Sequence, residues 1–153
     1  MMSDYEQCIK NELETIIPEI YDNLNNINGY SNDRAEKILR VLLEYSCLSQ
    51  NHANITISRE LICKINVEWL KSHYKEVAIS TINFNDDWEY RRLLEVIDES
   101  MPDYLKWAIN IGKGSNNEEI REIAQEFEAY LVDPQTGAGL WLCRQSNRTK
   151  RSG

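Results

Sequence analysis

Apolar side chains recur along this chain every three or four positions, the period that lines up one face of an α-helix. Ile9, Leu13, Ile16, Ile17, Ile20 and Leu24 form the first such stripe. Pro18 falls inside it and cannot donate to the preceding turn, which predicts a kink there or a break into two short helices. Asn23 to Asn32, rich in asparagine and containing Gly29, reads as a loop. A second helix is expected after Ser31 or Asn32, either of which can cap it, with Ala35, Ile38, Leu39, Leu42 and Ser46 inward. Cys47 to Thr56 reads as a polar connector. A third helix is predicted from about Ser58, with Leu61, Ile62, Ile65 and Trp69 inward. The pattern loses phase around Lys71 to Tyr74, and Tyr74, Val77, Ala78, Thr81 and Ile82 predict a fourth.

The polar break Asn83 to Asp87 ends that run. Asp86 or Asp87 can cap a fifth helix whose stripe is Tyr90, Leu93, Leu94, Ile97 and Met101. Pro102 suits the first turn of a sixth, with Leu105, Ala108 and Ile109 inward and Gly112 expected just past its end. Ser115 and Glu118 have capping-box spacing before a seventh helix, on which Ile120, Ile123, Ala124, Phe127 and Leu131 face the core. The expectation is one all-α domain over residues 1–131. From Val132 the character changes, because Pro134, Gly137 and Gly139 break helices and the last ten residues are almost wholly polar. The segment 132–153 therefore reads as a basic, partly disordered tail. Its apolar triplet Leu140, Trp141 and Leu142 is a candidate to fold back onto the body.

Composition supports the helical reading and narrows the function. Three prolines and six glycines in 153 residues are too few for the frequent turns of a β-sandwich. No apolar run approaches the ~20 residues that span a bilayer. The N-terminus lacks the basic and apolar stretches of a secretory signal, so the sequence places the chain in the cytoplasm. Net charge is -8. Arg144, Arg148, Lys150 and Arg151 against Asp133 make the tail +3 and leave -11 on the helical body. Such a body is repelled by phosphates, which argues against nucleic acid and anionic membranes as partners and favours a basic protein.

Catalytic and metal chemistry find little support. His52 and His73 stand alone, and no CxxC or HExxH pattern exists, so neither a metal nor a cofactor is expected. Cys8, Cys47, Cys63 and Cys143 read as buried thiols. Cys63 and His73, nucleophile and base in principle, read as a core thiol and a surface histidine. The run Gly112-Lys113-Gly114-Ser115 follows a predicted helix and not a strand, so it reads as a helix end and turn and not as a phosphate cradle. Carboxylate pairs such as Asp86 with Asp87 or Asp98 with Glu99 are too numerous to single out a catalytic acid and base.

The fifth helix is more informative. At 100° per residue, Trp88, Arg92, Glu95 and Glu99 lie opposite the Tyr90, Leu94, Ile97 stripe. An indole beside arginine and carboxylates is the residue mix of an interface hot spot. Asp86, Asp87, Trp88, Glu89, Arg92, Glu95 and Glu99 are accordingly the candidate partner-binding residues. The competing reading is that a neighbouring helix covers Trp88, and Trp107 carries the same ambiguity.

Pro102-Asp103-Tyr104-Leu105-Lys106, followed by the stretch from Gly112 through Glu119-Ile120-Arg121-Glu122-Ile123-Ala124, resembles the turn and second helix of a HEAT-type repeat. That resemblance covers about thirty residues and implies antiparallel helix pairs stacked as a short α-solenoid of about seven helices. Trp69-Leu70, then Asp87-Trp88-Glu89-Tyr90-Arg91-Arg92-Leu93-Leu94-Glu95, then the HEAT-like end, resemble small bacterial helical immunity proteins of polymorphic toxins. The implied function is neutralisation of a basic, nuclease-type toxin domain through an acidic face. A helical scaffold or adaptor without a toxin is the alternative, and an enzyme using scattered carboxylates is a third.

Overall fold

A computed structural model describes residues 2–132. Among them are seven α-helices and no strand, so the protein is all-α. The helices group into two compact units, one ending at Asn83 and one beginning at Phe84, with the boundary at the polar break before the fifth helix. The tail, with Cys143 and the Leu140 to Leu142 triplet, lies outside the described residues.

The first unit contains α1 (Asp4–Ile16), α2 (Asn32–Cys47), α3 (His52–Lys64) and α4 (Val67–Thr81). Each start is capped by a side chain that accepts from an otherwise orphaned backbone N–H. Ser3 accepts from Glu6, Ser31 from Arg34, Asn51 from Asn54 and Asn66 from Trp69. α2 is the centre of the unit and packs against α1, α3 and α4, while α1 also meets α3. Its Ile38, Leu39, Leu42 and Leu43 are fully buried, each burial contributing roughly 1.5–3 kcal/mol. Packing thus runs between helices one and two apart in the chain. That adjacency is compatible with stacked helix pairs but falls short of a solenoid, which requires the stacking to repeat.

Pro18 produces the break and not the kink. α1 stops at Ile16, and Glu19 takes a left-handed conformation, φ 65°, that turns the chain into 3₁₀ segments at Ile20–Asp22 and Leu24–Gly29. The predicted loop Asn23 to Asn32 is therefore mostly 3₁₀ helix, and it delivers Ile27 to the core alongside Leu24. Two further boundaries differ from the pattern. α3 begins at His52, inside the predicted connector, because Asn51 caps it, and its first turn already buries Ile55. The break before α4 comes at Ile65 and Asn66, not at Lys71 to Tyr74, so Trp69 belongs to α4. Between α2 and α3 the hydroxyls of Ser46 and Ser58 lie 2.8 Å apart and fully buried, each also within reach of a carbonyl of its own helix.

The second unit holds α5 (Asp87–Ser100), a 3₁₀ turn at Pro102–Tyr104, α6 (Leu105–Lys113) and α7 (Glu118–Val132), all three helices in mutual contact. Asp86 is the cap of α5. Gly112 is not past the end of α6 but inside it, buried against Tyr90 of α5 and Ala124 of α7. A Cβ there would stand 2.1 Å from Tyr90 Oη and 2.9 Å from Ala124 Cβ. Tyr90 lies fully buried across this gap and donates its hydroxyl to Ala108 O at 2.8 Å. At the start of α7 the cap is Asn117, which accepts from Glu119 N at 2.9 Å. Ser115 instead accepts from Asn117 N and holds the turn one step earlier. Leu131, expected inward, is 46 % exposed, and Tyr130 takes the core position beside Phe127.

Candidate functional site

The polar side of α5 is largely folded in on itself. The Arg92 guanidinium lies 4.7 Å from the centre of the Trp88 ring, and its Nη2 is 3.2 Å from Glu95 Oε2. An arginine that stacks on an indole and pairs with a carboxylate one turn on has its charge matched within the helix, so the group can leave water. Glu95 is only 8 % exposed and Asp98 2 %. Of the two readings of this face, the structure favours the covered one: Trp88, Arg92 and Glu99 are half-buried and Glu95 is buried. Asp86 and Glu89 are also half-buried, with Asp86 engaged as the helix cap at 3.0 Å from Glu89 N. Of the seven candidates, Asp87 alone is exposed.

Asp87 belongs to a different surface. With Glu119, Glu122 and Glu126 of α7 it lines a cleft of about 300 Å³ that Arg91 and Ile123 also line. Arg91 is held by Glu126 through two parallel hydrogen bonds, Nη1 to Oε1 at 3.2 Å and Nη2 to Oε2 at 3.1 Å. That pairing raises the guanidinium's already high pKa, so it stays charged at any accessible pH. Asp87, Glu119 and Glu122 make no ion pair among the described residues, which leaves three carboxylates facing water around one neutralised pair. Alternation along α7 explains the arrangement. Glu119, Glu122 and Glu126 recur three and four apart, directly beside the Ile120, Ile123, Ala124, Phe127 core stripe. Among the described residues no three His, Cys, Asp or Glu side chains converge closely enough to hold a metal ion.

Comparison with protein-family models, curated proteins and solved structures gives no match.

Two further groupings lie in the first unit. His73, read as a surface residue, is half-buried: its ring stacks on Trp69 at 4.3 Å and its Nδ1 lies 2.9 Å from Glu36 Oε2, tying α4 to α2. Cys63, read as a core thiol, is exposed, as is Cys8, while Cys47 is buried as expected. The i, i+4 spacing of Trp69 and His73 was a readable signal for the stack, whereas Glu36, 37 residues away, was not. In the first unit, Tyr45 Oη donates to Glu12 Oε1 at 2.7 Å. Burial, then this hydrogen bond and the Glu12 charge, push the phenol up to about 12. No helix among the described residues is long and apolar enough to cross a membrane.

Proposed function

We propose that this protein binds and neutralises a basic protein partner through the acidic cleft between α5 and α7, in the manner of an immunity protein. The observation that carries the binding part is the set of three carboxylates, Asp87, Glu119 and Glu122, that face water around the Arg91–Glu126 pair. A nuclease-type toxin must present cations to phosphate, and the same cations fit this cleft. The immunity part rests on the likeness of the Asp87 to Glu95 segment and the HEAT-like end to that class of protein, and on the acidic body. No catalytic step is invoked. A scaffold or adaptor would use the same surface without a toxin, so the two readings separate in the cell and not in the cleft.

Two measurements test this. Co-expression with the product of the adjacent gene should give a complex and rescue growth if that product is toxic, while a complex without rescue indicates the adaptor. Reversing charge in the cleft with Glu122→Lys should weaken the complex about fivefold at low salt and much less at about 0.5 M salt, as expected for one exposed ion pair. A complex indifferent to both Glu122→Lys and Asp87→Lys would remove the cleft from the interface.

A further inference from the structure

The first unit carries a second surface of a different kind. Along the C-terminal end of α2, Val41, Glu44, Tyr45 and Leu48 meet Glu12 of α1 and Asn54 of α3 around a groove of about 360 Å³. Val41 and Leu48 give it apolar surface, with Leu48 42 % exposed. Glu44, on the same ridge between Val41 and Leu48, and Glu12 of α1 give the groove negative charge. Glu12 gives Oε1 to Tyr45 and has Oε2 left to accept, and Glu44 is exposed with no ion pair among the described residues. The end of α2 adds to this, because the last-turn carbonyls carry the negative pole of the helix and no basic residue of that turn offsets it. No cation lines the groove.

We propose that this groove receives an arginine or lysine side chain of a protein partner, with its aliphatic stem and a neighbouring aliphatic residue against Val41 and Leu48 and its cationic head between Glu12 and Glu44. A bare cation does not fit this description. The apolar surface of Val41 and Leu48 offers a solvated ion nothing. A long basic side chain matches both kinds of lining, since its methylenes cover apolar surface while its charge stays in water beside the carboxylates. An anionic ligand is repelled by two carboxylates and a helix C-terminus. The Tyr45 phenol, neutral up to about pH 12, serves as a fixed donor that orients Glu12 and adds no competing charge. This site lies wholly in the first unit and does not rest on the cleft of the second.

The test is a titration of the full ¹⁵N-labelled chain with the blocked peptide acetyl-Leu-Arg-Leu-amide, followed by amide shifts. The result expected is saturable shifts concentrated at Tyr45, Leu48, Ser49 and Asn54 at millimolar peptide. Replacing arginine by its uncharged isostere citrulline should weaken binding at least fivefold. Glu44→Gln, on an exposed side chain that no other group needs, should weaken it several-fold, and Leu48→Ser should do so with the charged peptide too. Absence of shifts at these amides, equal response to the citrulline peptide, or shifts confined to the Glu119 to Glu126 surface would each overturn the proposal.

Discussion

Gly112→Ala is the sharpest probe of how the second unit is assembled. In an ordinary helix interior this change stabilises by roughly 0.5–1 kcal/mol, because glycine loses more backbone freedom on folding than alanine. Here the added methyl would sit 2.1 Å from Tyr90 Oη, 2.5 Å from its Cζ and 2.9 Å from Ala124 Cβ. The tyrosine cannot swing away at little cost, since it is fully buried and its hydroxyl is fixed to Ala108 O. Overpacking of this kind costs about 1–3 kcal/mol. Loss of the buried hydrogen bond adds about 1 kcal/mol. Against the helix gain, the net expectation is destabilisation by roughly 1–3 kcal/mol, or a fall of about 1 M in the urea midpoint for a transition with an ordinary slope. Trp107 on α6, whose ring meets Phe84 edge-on at 6.4 Å, reports this unfolding by fluorescence. Tyr90→Phe removes the nearest atom and should rescue part of the loss, giving a coupling energy near ~1 kcal/mol in a double-mutant cycle. A Gly112→Ala variant as stable as the parent, or more so, would refute the packing argument.

Three other expectations follow from single observations. The Ser46–Ser58 hydroxyl pair should behave as a unit in urea unfolding: each single alanine variant costs up to ~1.5 kcal/mol, and the double variant costs no more than the worse single, because no buried partner is then left unmatched. In an absorbance titration of the tyrosines, Tyr45→Phe should remove a phenol ionising near pH 12, and Glu12→Gln should lower that value only part-way, since burial is the largest cause. The Tyr45 pKa is raised on folding, so its contribution to stability is complete below its ordinary value of 10 and is lost as pH rises toward 12. At Glu19, whose positive φ costs an L-residue about 1–2 kcal/mol, glycine should raise the urea midpoint and valine should lower it.

Helix existence was legible because it depends on a local period, and helix ends were not where the deciding contact is a single cap or a distant side chain. Asn51 and Asn66 look like ordinary polar residues in the sequence, yet each fixes a boundary by accepting one N–H. Ile27 was lost to view for a related reason. A buried residue in a 3₁₀ segment obeys neither the helical nor the strand period, so the asparagines around it made the stretch read as a loop. Gly112 shows the converse error: glycine near a predicted helix end suggests a cap, but its position is dictated by a tyrosine 22 residues earlier in the chain.

The binding surface illustrates why an angular map of a helix does not locate its solvent face. Geometry correctly set Trp88, Arg92 and Glu95 opposite the core stripe of α5, but exposure also depends on whether charges find partners nearby. Arg92 has both an aromatic face and a carboxylate within one turn, so the group can be withdrawn from water. Asp87 has no such partner among the described residues and stays out, and it is joined by glutamates of α7 that lie more than thirty positions later in the chain. A surface whose charge is unmatched has to be assembled from side chains that fail to satisfy one another, and that failure is a property of the tertiary arrangement. If the acidic cleft is the docking face, Glu119→Lys should weaken a basic partner as Glu122→Lys does, whereas Glu95→Gln should leave its affinity unchanged and lower stability instead. The opposite outcome, affinity lost with Glu95→Gln at constant stability, would return the interface to the face of α5 that the sequence first suggested.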